Sequence, residues 1–407
     1  METKEAFRDV KVLDFAWIGF GPMITKYLSD HGATVIRIET RSRPDVLRLR
    51  APYRDGVPGI NRSGYFAFIN PNKYSMGLNI NHPEGLRIAK ELVQWADVVT
   101  ENFTPGTMEK WGLGYEDLKK IKPSIIMLRC SMQGHTGPYA RHGGYGLQLT
   151  ALTGVTSITG WPDRAPVQPY GAFTDWMGPP WGTAVLLAAL LYRKKTGKGQ
   201  CIKLSQLEIG LQFLAPLFLS YTVNGKVAGR AGNMSACAAP HGVYQCKGED
   251  RYCAIAIFTE EEWQEFCKIM GSPEWTRETR FSSLKVRKEN EEELNSLVEA
   301  WTVNFSPEEI MHRLQTAGIA AGVVQTGKEL LDDPQLKHRG YFWVMNHSEI
   351  GPFSHLGESF ILSKSPSRAY FPAPRFGEHT EKICREILKM SDGEFVRLYN
   401  EGVIELP

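Results

Sequence analysis

Between Val10 and Glu39 the sequence changes its period twice. Val10 to Ala16 reads as a buried strand, Met23 to His31 carries apolar residues at helical spacing and ends at Gly32, and Val35 to Glu39 is a short β-branched run. Strand, helix and strand within about thirty residues make a βαβ unit, and a crossover of that kind joins parallel strands. Gly19 to Pro22 is predicted to turn the chain between the first strand and the helix. The alternation continues with a helix over Pro83 to Trp95, a strand at Asp97 to Thr100, a helix near Tyr115 to Lys120 and a strand at Ile125 to Cys130. Repeated βα units predict an α/β fold, a Rossmann-like large domain built on a parallel sheet.

A chain of 407 residues is too long for one ordinary core. A helix from Gly182 to Tyr192, a strand over Gln200 to Leu204 and a long helix over Gln206 to Tyr221 extend the first domain. From Asn224 to Ala239 the composition turns to Gly, Ala, Ser and Asn, which marks a crossing between domains. The predicted division is a large domain over 1–224, a smaller α/β domain over 225–335, and a segment over 336–407 that returns to the large domain. That tail is rich in Pro, Gly and Ser, yet it carries Phe342, Trp343, Phe353, Phe360 and Ile361, too much apolar surface for a disordered end.

Several classes of function lack support. Lys and Arg total 47 against 45 acidic residues, so net charge argues for neither nucleic acid nor a membrane surface. The seven cysteines contain no C-x-x-C pair, and the ten histidines no H-x-x-x-H, so no zinc or other metal site is expected. Reduced thiols, a charged N-terminus and the lack of a spanning apolar segment point to a cytoplasmic protein. Ser131 and Ser205 sit in no G-x-S-x-G elbow. The turn Gly19-Phe20-Gly21-Pro22 is a poor dinucleotide fingerprint, because Ile24 stands at the third glycine position and Pro22 lacks an N–H for phosphate.

What remains is a carboxylate. Asp175 lies in Gly171-Ala172-Phe173-Thr174-Asp175-Trp176-Met177-Gly178, just ahead of the apolar helix. Read alone, it is a helix cap; read with amides that can hold a developing oxyanion, it is a candidate covalent nucleophile. Basic residues cluster at Arg37, Arg41, Arg43, Arg48 and Arg50 and recur at Lys73, Lys110 and Arg141, where a phosphorylated ligand could be clamped. Asn102 and Phe103 follow a parallel strand, the usual place for ligand-binding loops.

Taken in order, these pieces resemble the class III CoA-transferases, the family of formyl-CoA, carnitine and aryl-succinate CoA-transferases and of the related α-methylacyl-CoA racemases. The resemblance rests on Val12-Leu13-Asp14-Phe15 with Gly21-Pro22, Val35-Ile36-Arg37-Ile38-Glu39, Asn72-Lys73-Tyr74-Ser75, Glu101-Asn102-Phe103-Thr104-Pro105-Gly106, Gly137-Pro138-Tyr139, Asp175, Thr196-Gly197-Lys198-Gly199-Gln200 and Ala239-Pro240. It implies that Asp175 is the catalytic residue, forming first a mixed anhydride with the donor acyl group and then an aspartyl-CoA thioester. It implies further that Lys73, Asn102, Phe103, Lys110 and, less directly, Arg41 line the coenzyme A site, with CoA thioesters as substrates and no tightly bound cofactor. Two chains threaded through one another, as a homodimer or with a related subunit, are part of the same implication.

Departures from the pattern narrow the reaction. Where the racemases carry a histidine, this chain has Tyr145, a poor base at neutral pH, so racemase or epimerase ranks below transferase. A non-catalytic subunit is the other rival, and the intact Asp175 counts against it. Gly19 stands where formyl-CoA transferases have glutamine, and Asn233 to Ala239 is no glycine run. Trp17, Gly19, Phe20, Tyr145 and Trp176 are expected to form the substrate pocket, whose aromatic character suggests a hydrophobic or aryl-bearing acid such as benzylsuccinate, with succinyl-CoA as a possible donor.

Overall fold

The computed structural model describes residues 5–407. The chain folds into two compact units. The larger takes in residues up to Thr156 with Gln168–Val227 and Lys337–Pro407; the smaller comprises Ser157–Val167 and Ala228–Leu336.

The larger unit is built on a sheet of β1 (Lys11–Asp14), β2 (Thr34–Glu39), β3 (Tyr74–Leu78), β4 (Val98–Glu101), β5 (Ile126–Ser131) and β6 (Cys201–Ser205), in the order 3-2-1-4-5-6 and parallel throughout. Alternate residues face opposite layers, and both layers are apolar. Val12, Val35, Val98, Ile126 and Leu128 pack with Phe20, Ile24, Leu28 and Leu186 on one side. Leu13, Ile36, Val99 and Met127 pack with Ile88, Leu92 and Val93 on the other. Burial on both faces is why apolar residues stand side by side in these strands instead of alternating strictly with polar ones.

Local chemistry starts and stops the covering helices. Pro83–Trp95 begins with proline at its first position, where no N–H is needed, and His82 Nδ1 accepts from Glu84 N at 3.2 Å. Pro179–Thr196 ends at Gly197 in the left-handed conformation, with Arg193, Lys194 and Lys195 facing the negative end of its dipole. Two expectations need correction. The helix after β1 begins at Phe20 rather than Met23, so Gly19 to Pro22 is its first turn and not a free loop; Pro22 is tolerated there because the first amides of a helix have no intrahelical acceptor. The segment after β6 forms two helices, Gln206–Gln212 and Ala215–Asn224, broken at Phe213-Leu214.

The C-terminal segment is tied into the larger unit. Ile404 and Glu405 pair antiparallel with Leu78 and Gly77 at the edge of β3, and Asn72 Oδ1 accepts the Tyr370 and Phe371 amides. The smaller unit has an antiparallel sheet of β7 (His241–Gln245), β8 (Tyr252–Ala256) and β9 (Ala320–Val323), with a core around Trp263, Phe266, Phe281 and Leu314. No helix among the described residues is long and apolar enough to cross a membrane.

Candidate active site

In an open parallel sheet, ligands sit at the carboxyl ends of the strands where the strand order reverses. Here the reversal lies between β1 and β4, and the loops leaving these two strands are clamped together. Asn102 Oδ1 accepts from Trp17 N at 2.8 Å, and Asn102 Nδ2 donates to Trp17 O at 2.7 Å. Ile18 follows with φ of +64°, a strained value for a β-branched residue. Its N–H is held by Asp45, at 3.1 Å from Oδ2 and 3.3 Å from Oδ1, and Asp45 in turn accepts from Arg37 Nη2 at 2.8 Å. A buried ionic layer thus sets the path of the chain into Gly19.

Gly19 brings the turn against Asp175. A Cβ there would lie 3.3 Å from Asp175 Oδ2, and one on Gly146 would lie 3.1 Å from the same oxygen. Any side chain at either position would crowd the carboxylate. Asp175 does not cap a helix: the short helix Phe173–Met177 follows Ala172, the long one Pro179–Thr196 follows Gly178, and neither start carries a side-chain cap. Instead Asp175 Oδ1 accepts a hydrogen bond from Gln206 Nε2, which also donates to Thr174 Oγ1 at 3.2 Å. Burial pushes the Asp175 carboxyl up to about 6, against the opposing pull of the Gln206 hydrogen bond. Oδ2 is left facing a cavity of about 100 Å³ whose walls include Ile18, Gly19, Asn102, Ser131, Tyr145 and Gln206.

The structure brings Gly19, Phe20, Asn102, Tyr145 and Asp175 together around this cavity. Phe20 also belongs to the apolar layer beneath, while Tyr145 is 57% exposed at the rim. Trp17 meets Phe103 edge to face at 5.5 Å, and Phe103 meets Trp111 in the same way at 5.4 Å, so Phe103 is part of an aromatic row on the loop after β4. Trp176 lies apart from the cavity at Asp175; it lines a separate one of about 160 Å³ with Met23, Tyr27 and Phe68.

The predicted basic residues are dispersed. Lys73 is fully buried, with Nζ donating to Pro22 O at 2.6 Å and Asn70 Oδ1 at 3.0 Å, and Asp14 is 3.8 Å away. Burial, with the nearby Arg37 charge adding to it and Asp14 opposing, lowers its ammonium to about 7. Such a residue braces the first turn of the helix after β1 and has no surface to offer a phosphate. Arg41 is exposed; its guanidinium donates to Leu406 O at 2.7 Å and lies over Phe376. Lys110 is exposed at the end of the short helix Thr107–Lys110.

Two features escaped the sequence reading. Gln206, the first residue after β6, touches the carboxylate; its place at a strand's carboxyl end was the available signal. A cavity of about 460 Å³ next to the loop after β4 is bordered by Gly106, Arg129, His135, Arg141 and Lys203. Arg129 is spent on Glu101 and Glu109, at 2.7 and 2.6 Å, whereas Arg141 and Lys203 pair with no acid among the described residues. The loops after β4 and β5 each supply wall to both cavities, Asn102 and Met132 to the first, Gly106 and His135 to the second.

The model of CoA-transferase family III matches residues 7–380. Over 405 residues the chain is 32% identical to the succinyl-CoA:glutarate CoA-transferase of Mus musculus, a match spanning 99% of this chain and 91% of that one. It is 32% identical over 407 residues to the beta subunit of the succinyl-CoA–L-malate CoA-transferase of Chloroflexus aurantiacus, covering 97% of each. A crystal structure of a CaiB/BaiF family protein from Brucella suis superposes with a TM-score of 0.86 at 30% identity, covering 94% of this chain and 99% of that one.

Proposed function

This chain belongs to CoA-transferase family III and is a CoA-transferase, and we propose that it moves coenzyme A from succinyl-CoA to a short dicarboxylic acid through covalent intermediates on Asp175. The observation that carries this reading is the state of Asp175: half-buried beside a cavity, one oxygen held by Gln206, the other open between Gly19 and Gly146. Oδ2 attacks the thioester carbon and expels CoA thiolate, giving a mixed anhydride. The thiolate then takes the aspartyl carbonyl, releasing the donor acid and leaving an aspartyl-CoA thioester. The acceptor carboxylate attacks that thioester, and the returning thiolate captures the acceptor's acyl group. Splitting one exchange into covalent steps keeps the thioester energy and needs no external base.

Coenzyme A fits along the loop after β4. Its acyl end would sit at Asp175, its pantetheine arm would follow Asn102 and the aromatic edge of Phe103, and its phosphates would reach Arg141 and Lys203, with exposed Lys110 close to the same loop. Arg41, engaged with the C-terminal residues, would take a peripheral part. Both relatives named above use succinyl-CoA and a dicarboxylate, and the small cavity at Asp175 suits an acid of that size. The exposed ring of Tyr145 favours a second reading, in which the acceptor carries an aryl group, as benzylsuccinate does. An interlocked pair of chains, identical or related, belongs to the same proposal.

The test is to incubate the protein with succinyl-CoA, quench, and look for CoA mass on the peptide bearing Asp175, then let glutarate, malate and benzylsuccinate compete for turnover. No adduct with any acyl-CoA, and no exchange between acids, defeats the proposal.

A further inference from the structure

Gln206 donates from a single amide nitrogen to Asp175 Oδ1 and to Thr174 Oγ1. Its side chain is buried, and Thr174 is buried beside it. The orientation is dictated by the partners: a carboxylate only accepts, so the amide must present its N–H groups and not its oxygen. The helix Gln206–Gln212 is anchored at its start, where Ser205 Oγ accepts from Glu208 N at 3.4 Å, so the donor is carried on regular structure at the end of β6. Attack by Oδ2 on the donor thioester leaves this hydrogen bond to Oδ1 without a chemical task.

We propose that Gln206 is a catalytic residue, the oxyanion donor for both attacks on the carbonyl carbon of Asp175. The inference rests on the reading of Asp175 as nucleophile. In the first of these attacks, CoA thiolate adds to Cγ of the mixed anhydride and the Cγ–Oδ1 double-bond pair moves onto Oδ1. Collapse breaks the Cγ–Oδ2 bond and releases the donor acid with that oxygen, leaving Cγ bonded to sulfur. In the second, the acceptor carboxylate adds to Cγ, charge again gathers on Oδ1, and collapse expels the thiolate. No proton and no oxidant is required at either step. In both, the oxygen that carries the charge is the one Gln206 already holds, so the donor is preorganised and acts without reorganising. Attack by Oδ2 on the acyl carbon of the donor places its oxyanion elsewhere and does not draw on Gln206.

The experiment compares Gln206→Leu and Gln206→Glu with the unmodified enzyme, following the rate at which CoA attaches to Asp175 in a single turnover with succinyl-CoA. Gln206→Leu is compared with the parent well above pH 6, where the parent's Asp175 is ionised, and Gln206→Glu is followed across a pH series. Gln206→Leu is expected to slow attachment by about 100-fold, the size of effect seen when one oxyanion donor is removed, with acyl-CoA affinity changed less than about threefold. Gln206→Glu is expected to be equally slow when its new carboxyl is ionised and to recover as the pH falls and that group regains a proton to donate, the reverse of the parent enzyme's dependence. This second variant decides the matter if the first does not fold. An attachment rate in Gln206→Leu equal to the parent's, or a loss confined to acyl-CoA affinity, overturns the inference, as does a Gln206→Glu profile that follows the parent's. A parent enzyme that never carries CoA on Asp175 overturns instead the reading on which the inference rests.

Discussion

Asn102 satisfies both backbone polar groups of Trp17, accepting from its N–H at 2.8 Å and donating to its carbonyl at 2.7 Å. One side-chain amide therefore does the work of a ladder rung between the loops after β1 and β4, at the point where the strand order reverses. Asn102→Leu leaves two partly buried backbone groups without partners, each costing about 1–3 kcal/mol. The expected outcome is a melting temperature several degrees lower and a fall in kcat/KM for acyl-CoA, because Gly19 loses its fixed distance from Asp175. Calorimetry and steady-state kinetics on the same preparation check it.

The space kept by Gly19 is a separate requirement. Its Cβ would already meet Asp175 Oδ2 at 3.3 Å, tighter than ordinary contact. Gly19→Val is expected to reduce kcat by roughly 100-fold, since a displacement near 1 Å at the reacting group costs that much, while leaving the fold intact. Circular dichroism and turnover measured together separate the two effects.

Asp175 couples stability to pH. Burial raises its folded pKa to about 6, above the ordinary carboxylate value, so the unfolded chain gives up this proton first as the pH rises. Folding stability therefore declines across the interval from the ordinary value to about 6 and is flat beyond. Asp175→Asn, which has nothing to ionise, is expected to abolish CoA transfer yet melt higher than the parent above pH 6, the difference vanishing in acid. In the parent, transfer should fall as the pH drops through about 6, where Asp175 becomes protonated. Melting curves and rates over a pH series test both signs.

The ionic layer under the site has the opposite sign. Arg48 grips Glu39 with two hydrogen bonds of 2.8 Å, and although burial would raise the Glu39 carboxyl, the Arg48 charge and hydrogen bonds overcome it and hold it down to about 2. Stability from this pair is fully present above the ordinary glutamate value and is lost as the pH falls toward 2. Arg48→Met strands a buried carboxylate and is expected to cost about 3–5 kcal/mol at neutral pH. Urea unfolding should show that deficit shrinking in acid as Glu39 takes up its proton.

The basic cavity predicts a salt effect. Arg141→Ala and Lys203→Ala are expected to raise KM for acyl-CoA severalfold each at low ionic strength, leave kcat close to the parent's, and lose most of that difference in molar salt. Equal KM values at every salt concentration would place the phosphates elsewhere.

Much of this was legible in the sequence because it follows from local chemistry. The β-branched runs at Val35 to Glu39 and Ile125 to Cys130, the proline opening Pro83–Trp95 and the glycine after Thr196 each state their own structure, since period, caps and breakers act over a few residues. Asp175 stood out because a carboxylate between glycines before an apolar helix is unusual, and the order of motifs tied it to a family. β3 escaped that reading, because Tyr74-Ser75-Met76-Gly77-Leu78 has little strand character of its own and is held by β2 on one side and Ile404–Glu405 on the other. Lys73 read as a cation of the coenzyme A site; only its carbonyl partners inside the fold revealed a brace.

The chain's own pattern thus determined the parallel sheet and its covering helices, and singled out Asp175 as the candidate nucleophile. Tertiary structure alone decided that Asp175 hydrogen-bonds to Gln206, 31 positions away, and that two glycines distant in the chain, Gly19 and Gly146, leave its other oxygen open. Those relations depend on which strand ends and helix starts lie side by side, and adjacency in a folded domain is set by the packing of the whole unit rather than by any short stretch of sequence.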